Sequence, residues 1–304
     1  MKVLLAIDAS QASKHVVDEA VARPWPEATE FSIVNVVDLQ PAAKLPAIIE
    51  DAKREGQKVV KAAAEILSRS GHKTNCESFV GFAKSGISEY AKQWGADLVM
   101  AGSHGQGALK RFLLGSVAQG ILRTAPCSVE IVRPSSQGAR ASSHSLKIML
   151  ATDGSEYSIA AAKSIASRPW PKGSQVKVVS AVELIVLDNQ ISGYPLSPVY
   201  PQSLLDELMN NSHIRAKEAV ENARGILAGA KWNVVSGETT PLGDPRIVVL
   251  DEAKEWGADL IVLGSHGRRG FNRMMLGSVS ESVAIHAHCS VEVIRKPGQE
   301  HADH

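Results

Sequence analysis

The chain carries one glycine pattern twice, and this repeat constrains the fold more than any other feature. The stretch GSHGQGALKRFLLGSV begins at Gly102, and GSHGRRGFNRMMLGSV begins at Gly264. Each has a glycine, two residues, a second glycine, nine residues and then Gly-Ser-Val. Aligning residues 92–133 with 254–295 without a gap gives 21 identities in 42 positions. Chance does not produce such similarity, so the chain consists of two copies of one domain.

Earlier segments repeat as well, and they set the expected domain limits. KVLLAIDASQAS from Lys2 matches KIMLATDGSEYS from Lys147, and RPWP occurs at Arg23 and again at Arg168. The offset between matching residues grows from 145 to 162, so copy two has 17 extra residues in its middle, where prolines and a glycine predict a loop and then a helix. The serine-rich PSSQGARASSHS predicts a linker. We therefore expect domains over 1–134 and 147–297, a linker over 135–146 and a flexible tail over 298–304.

Composition excludes several classes of protein. The net charge of +1 lacks the basic excess that is typical of nucleic-acid binders. No apolar run approaches the ~18–20 residues of a membrane span, so we expect neither nucleic acid nor a membrane as partner. The three cysteines are odd in number and show no CxxC spacing, which argues against a disulfide framework. The first apolar run is too short for a signal peptide and is interrupted by Asp8. The expected location is the cytoplasm.

In each copy, short apolar segments alternate with segments of helical periodicity. In copy one the strand-like segments include VLLAI, FSIVNVV, DLVMAG and CSVEIVR, and the helical ones include SQASKHVVDEAVA, SGISEYAKQWG and GSVAQGILRTA. This alternation predicts an α/β fold in which crossover helices join parallel strands. We expect five strands and four helices in each copy. Ligands bind at the carboxyl ends of such strands, where Asp8 and Gly102 are expected side by side.

The glycine loops have the chemistry of a phosphate site. A loop that wraps a phosphate turns its amides inward, which often requires a positive φ that only glycine adopts at low cost. The loop glycines are Gly102 and Gly105, with Gly264 and Gly267 in copy two. Each loop leads to a predicted helix start, and helix N-termini favour phosphate. These helix starts are Gly115, Ser116 and Val117, and Gly277, Ser278 and Val279.

Asp8 and Asp153 suit another part of a nucleotide. A carboxylate at a strand end accepts hydrogen bonds from ribose hydroxyls, or it holds a metal ion beside phosphates. The chain has neither a GxxxxGK[ST] motif nor a GxGxxG after its first strand. The pattern is therefore neither of the two commonest phosphate motifs.

Simpler interpretations stay open for individual residues. Glycine pairs are often only turns, and Asp8 alone could be a helix cap. His104 and His266 could act as general bases, but contacts of the loop backbone with phosphate are the favoured role, and no catalytic residue is predicted. The loop charges Lys110, Arg111 and Arg273 could neutralise phosphate or could be simply solvated.

The full pattern resembles the universal stress protein family. An aspartate after strand one and G-x2-G-x9-G-S after strand four occur in this order in both copies. The resemblance implies two tandem open parallel five-stranded sheets in the order 3-2-1-4-5, flanked by helices, of the adenine nucleotide alpha hydrolase-like, Rossmann-like type. It also implies that the last strands of the two copies pair with each other. A further homodimer stays open.

The resemblance also implies ATP as the ligand. Members with this motif hold ribose and adenine with the strand-one aspartate and a backbone position late in strand two. Here these residues are Asp8 with Val36, and Asp153 with Ala181. The loop residues, including His104 and His266, and the Gly-Ser-Val turns would take the phosphates. Whether Mg²⁺ or Mn²⁺ accompanies ATP stays open, and no metal ligand is predicted in the chain.

The resemblance further implies a nucleotide-dependent regulator of stress response or dormancy without strong turnover. Two alternatives are a slow ATP hydrolase or nucleotidyl transferase, and an interaction module that binds no nucleotide. Copy two has Arg268 and Arg269 where copy one has Gln106 and Gly107. The additional positive charge favours tighter binding in copy two.

Overall fold

The computed structural model describes residues 1–38, 46–105, 114–134, 145–182, 202–229, 233–268 and 276–296, with the backbone alone over 233–242. Most of the expected linker, all of the expected tail and residues 183–201 of the insertion lie outside these ranges. Copy one comprises β1 Lys2–Ala6, α1 Gln11–Ala22, β2 Glu30–Asp38, α2 Pro46–Arg69, β3 Lys73–Gly81, α3 Ala83–Trp94, β4 Leu98–Gly102, α4 Ser116–Thr124 and β5 Ser128–Val132. Copy two comprises β6 Lys147–Ala151, α5 Glu156–Ser167, β7 Gln175–Val182, α6 Gln202–Ala228, β8 Asn233–Leu242, α7 Pro245–Trp256, β9 Leu260–Gly264, α8 Ser278–His286 and β10 Ser290–Ile294.

All ten strands form one sheet in the order β3-β2-β1-β4-β5-β10-β9-β6-β7-β8. Each half keeps the predicted order 3-2-1-4-5, and all strand pairs within a half are parallel. The two five-stranded sheets join into one ten-stranded sheet, because β5 and β10 pair antiparallel along their edges. An edge strand presents unpaired N–H and C=O groups, and this pairing satisfies those groups in both copies.

The two faces of the sheet are covered differently. On one face, a single apolar core runs across both copies and includes residues of α3, α4, α7 and α8. On the other face each copy has a core of its own, formed with α1 and α2 in copy one and with α5 and α6 in copy two. The antiparallel register sets Glu130 of β5 opposite Glu292 of β10, and both side chains are buried at the seam between these two cores.

A buried ionic cluster neutralises these glutamates. The two Nη atoms of Arg23 donate to the two carboxylate oxygens of Glu130, each at 2.7 Å, and Nη2 also donates to Glu19 at 2.8 Å. In copy two, Nη2 of Arg168 donates to Glu292 at 2.8 Å. Burial raises the pKa of Glu130, while the adjacent Arg23 opposes that rise.

The repeated RPWP segment serves this cluster. The guanidinium carbons of Arg23 and Arg168 lie 5.3 and 4.9 Å from the ring centre of Trp170, within cation–π range. Arg23 also lies 5.5 Å from the ring of Trp25. Each indole N–H donates to the preceding helix, at Ala20 and Ile165 respectively. The repeat therefore marks a structural role at the seam between the copies.

Candidate functional site

The strand-end aspartate of copy one braces the turn that leads into α1. Its Oδ1 accepts the Ser10 N–H at 3.0 Å and the Ser13 hydroxyl at 2.7 Å. The N-cap of α1 is Ser10, whose side chain accepts the Ser13 N–H. Asp8 is therefore not the helix cap, because the cap position is taken two residues later.

The matching aspartate of copy two is bound to the glycine loop. Oδ1 of Asp153 accepts the Ser155 N–H at 3.0 Å, and Oδ2 accepts the Arg268 N–H at 2.9 Å. Ser155 is the N-cap of α5. One carboxylate thus connects the end of β6 to the loop after β9.

In both copies the aspartate and the second loop glycine are neighbours. A Cβ atom placed on Gly105 would lie 2.9 Å from Oδ2 of Asp8, and one on Gly267 would lie 2.9 Å from Oδ2 of Asp153. Both distances are shorter than a real Cβ contact, so the carboxylates occupy the space that a side chain would need. The two elements that the repeat singled out meet at one edge of the sheet.

The reason for glycine in the motif differs from the one expected. None of the six motif glycines, all of which lie in described ranges, is among the residues with positive φ. The expected left-handed backbone is therefore wrong for these positions. A Cβ on Gly102 would lie 2.8 Å from the Cβ of Ala12, and one on Gly264 would lie 2.6 Å from the carbonyl carbon of Tyr157. Glycine is required because α1 and α5 pack directly against the ends of β4 and β9.

The third motif glycine fastens a helix to its loop. The N–H of Gly115 donates to the carbonyl of Ser103 at 2.7 Å, and the N–H of Gly277 donates to Ser265 at 2.8 Å. These two N–H groups therefore have hydrogen-bond partners within the protein. Gly115 and Gly277 are the N-caps of α4 and α8 and bring no capping side chain.

The Ser-Val pairs of the motif lie in the first turns of two helices. Ser116 and Val117 open α4, and Ser278 and Val279 open α8. N–H groups in the first turn of a helix have no partner within the helix, and they point outward beyond its N-terminus. Together with the helix dipole, they favour an anion at this end.

The loop histidines are held by the serines that precede them. Nδ1 of His104 lies 3.1 Å from the Ser103 hydroxyl, and Nδ1 of His266 lies 3.0 Å from that of Ser265. Both serines are buried. Burial lowers the pKa of His104, with a further contribution from the charge of Arg133.

The environments of the two rings differ. His266 is buried and lies 5.0 Å from the ring of Tyr157. His104 is half-buried, and its Nε2 is buried without a hydrogen-bond partner among the described residues. Copy one has Ala12 at the position of Tyr157.

The predicted adenine positions lie at the same edge as the aspartates. The N–H of Ile7 donates to Val34, so Val36 lies two residues further along β2, past the end of β1. The N–H of Thr152 donates to Val179 in the same way, which places Ala181 two residues further along β7. Val36 and Ala181 are both half-buried.

Sequence reasoning missed one feature of copy two. Gly154 has φ of 75°, and a Cβ there would lie 2.7 Å from Nη2 of Arg268. The positive φ favours glycine at this position, and the Arg268 guanidinium lies directly against it. The available signal was the substitution of Ala9 of copy one by glycine at this position.

The remaining predictions concern the loop charges, metal ligands and membrane spans. Lys110, Arg111 and Arg273 fall outside the described ranges. Within those ranges, no group of three or more His, Cys, Asp or Glu side chains is placed to hold a metal ion. The helices that the structure describes include none that is long and apolar enough to cross a membrane.

Comparisons with known proteins agree with the repeat. The sequence profile of the universal stress protein family matches residues 1–133 and 145–295. A universal stress protein of Mycolicibacterium smegmatis is 28% identical over 96% of each chain. The crystal structure of one from Archaeoglobus fulgidus covers 98% of this chain and 97% of its own, at 19% identity and a TM-score of 0.66. A universal stress protein solved in complex with cAMP matches 44% of this chain and 97% of its own, with 24% identity and a TM-score of 0.34. The chain belongs to the universal stress protein family and contains two copies of the family domain.

Proposed function

We propose that this chain binds ATP at the carboxyl edge of each half-sheet and acts as a nucleotide-dependent regulator of stress response or dormancy without strong turnover. One observation carries the proposal. In both copies, a strand-end aspartate, a glycine loop and the start of a nine-residue helix meet at one edge of the sheet. Its occurrence twice in matched positions argues against a chance turn.

Each part of this edge suits one part of the nucleotide. The carboxylates of Asp8 and Asp153 would accept the ribose hydroxyls. The backbone at Val36 and Ala181 would face adenine. The loop and the first turns of α4 and α8 would donate to the phosphates, and each hydrogen bond to a charged group contributes about 1.5–3 kcal/mol. A few such bonds are enough for micromolar affinity.

The arrangement of the copies supports a regulatory role. Both sites belong to one continuous sheet, because β5 pairs with β10. A structural change that ATP causes in one half would therefore act directly on the strand of the other half that pairs with it. We place this regulator in the cytoplasm, where adenine nucleotides are plentiful.

The test is the nucleotide content of freshly purified protein. The protein is denatured, the precipitate is removed, and the released nucleotides are separated by anion exchange and quantified. About two ATP per chain would support both sites, and about one would show that the copies have diverged. ADP alone, with turnover of added ATP, would favour the hydrolase alternative. Folded protein that carries no nucleotide and does not bind ATP in calorimetry would contradict the proposal.

A further inference from the structure

An arginine of copy one caps a helix of copy two. Arg133 directly follows β5, and its Nη2 donates to the carbonyls of Ala284 at 2.7 Å and Ile285 at 3.0 Å. Both carbonyls belong to the last turn of α8. The backbone N–H of Arg133 also donates to the hydroxyl of Ser290 in β10, at 3.1 Å.

The reciprocal contact runs from copy two to copy one. Arg295 directly follows β10, and its Nη2 donates to the carbonyls of Leu122 at 2.9 Å and Arg123 at 3.1 Å, in the last turn of α4. Its backbone N–H donates to the hydroxyl of Ser128 in β5, at 3.2 Å. The two sets of contacts are equivalent under the alignment of the copies, so they form one repeated device.

These contacts suit the chemistry of a helix end. The last carbonyls of a helix have no partner within it, and a cation there is favoured by the helix dipole. A guanidinium presents several donors in a fixed plane, so one group serves two carbonyls. Both arginines are half-buried. Burial lowers the pKa of Arg133 to about 10, so the side chain is still protonated at neutral pH.

The capped helices are the ones whose first turns form the candidate phosphate sites. Each has nine residues and is thus about 13 Å long. Its N-terminus is fixed to the glycine loop through the bond from Gly115 to Ser103, or from Gly277 to Ser265. A helix this short moves as one body, so contacts at its C-terminus also place its N-terminus.

The loop of each copy is also joined to its own arginine. The N–H of Ser103 donates to the carbonyl of Val132 at 3.1 Å, and Val132 immediately precedes Arg133. The N–H of Ser265 donates to Ile294 at 2.9 Å, immediately before Arg295. A continuous series of contacts thus runs from each glycine loop to the helix of the other copy.

We infer that Arg133 and Arg295 are positioning residues that act across the seam, each placing the helix that seats phosphate in the opposite copy and thereby coupling the two nucleotide sites. The inference rests on the proposed function, since it concerns the same two sites. It assigns to Arg295, in copy two, an effect on ATP affinity in copy one. It assigns to Arg133, in copy one, an effect on ATP affinity in copy two.

The test measures ATP affinity by calorimetry in chains that keep one site. Asp153→Ala leaves the site of copy one, and Asp8→Ala leaves that of copy two. In the Asp153→Ala chain, Arg295→Gln is expected to weaken binding about threefold to tenfold. Arg133→Gln is expected to change this affinity by a smaller factor, because Arg133 reaches the site of copy one only through the charge that it exerts on His104. In the Asp8→Ala chain, Arg133→Gln is expected to give the larger weakening of ATP binding and Arg295→Gln the smaller change. This crossed pattern separates positioning from a general loss of structure.

Arg123→Gln is the matched control. Arg123 makes a cross-copy ion pair, with its Nε 2.7 Å from Glu281, but its side chain is exposed and caps no helix. It is expected to leave both affinities unchanged. If Arg295→Gln does not fold, Arg295→Lys carries the same comparison, because lysine keeps the charge but not the planar pair of donors. A smaller weakening confined to copy one would then support the inference.

Equal weakening at both sites, or none, would overturn the assignment of the arginines. A wild-type chain that binds no ATP would instead overturn the proposed function. The wild-type titration is made first, so these two failures are distinguished.

Discussion

The two copies share a fold but hold their key charges differently. At the seam, Arg23 binds both Glu130 and Glu19, whereas Arg168 makes one ionic contact, with Glu292. Copy two has Ser164 at the position of Glu19, and Arg168 donates to its backbone carbonyl. A duplicated domain thus keeps its sheet and its motif, while each copy adjusts the side chains around them.

The sites differ in the same manner. In copy two, Gly154 lies next to the Arg268 guanidinium, and the ring of Tyr157 packs against that of His266. Copy one has Ala9 and Ala12 at the positions of Gly154 and Tyr157. The difference between the sites therefore lies in the side chains that flank the loop.

The largest expected effect concerns the buried ions. Arg23→Met would leave two glutamates buried without their cation, and we expect it to lower the free energy of unfolding by about 3–5 kcal/mol. Arg168→Met also leaves a buried glutamate, Glu292, without its hydrogen-bonded cation, but it removes fewer ionic contacts, so we expect a smaller loss. Urea unfolding followed by circular dichroism measures both. Equal losses would show that the asymmetry of the cluster has no energetic consequence.

The next comparison uses the close helix contacts. Gly264→Ala would place a Cβ 2.6 Å from the Tyr157 carbonyl carbon and 2.8 Å from the Ser158 nitrogen, both backbone atoms. Gly102→Ala would first meet the Cβ of Ala12 at 2.8 Å. We expect Gly264→Ala to destabilise by about 1–3 kcal/mol and Gly102→Ala by less. Thermal unfolding of the two variants tests the order, and the reverse order would contradict it.

A third comparison exchanges one loop residue between the copies. In the Asp8→Ala chain, Arg268→Gln gives copy two the residue of copy one, and we expect ATP binding to weaken about threefold to tenfold as a charge-assisted contact is lost. In the Asp153→Ala chain, Gln106→Arg should strengthen binding. Calorimetry at one salt concentration measures both. If neither exchange changes the affinity, the charge of this residue does not distinguish the sites.

The smallest expected effect depends on pH. The ordinary pKa of histidine is 6.5, and that of His104 is lower in the folded chain. As the pH falls, His104 therefore takes up a proton in the unfolded chain at a higher pH than in the folded chain. Its contribution to the free energy of unfolding is fully present above pH 6.5 and is lost as the pH falls through the folded pKa. His104→Asn should therefore lose less stability than the wild type between pH 7 and pH 5.

An NMR titration follows the His104 ring directly. Its midpoint is expected below 6.5 and should rise when ATP is added, because a phosphate nearby favours the charged ring. A midpoint above 6.5 in the free chain would contradict the assigned environment.

Much of this architecture could be predicted from residues alone. Apolar periodicity located the strands and helices, as with DLVMAG for β4 and the serine cap of α1. The strand order within each half came from the family resemblance. The meeting of Asp8 with the glycine loop followed from the rule for parallel sheets. The reason for the glycines did not, because it depends on how closely α1 and α5 approach the strand ends.

The sequence by itself determined the duplication, the α/β class and the edge of the sheet at which the motif residues gather. These depend on local periodicity and on a pattern seen twice. Only the tertiary structure decided the antiparallel register of β5 with β10, the ionic cluster and the crossed arginine caps. The Arg23–Glu130 contact spans 107 residues of chain and the Arg133–Ala284 contact spans 151. The antiparallel register of β5 with β10 brings such distant partners together, and no local pattern encodes that register.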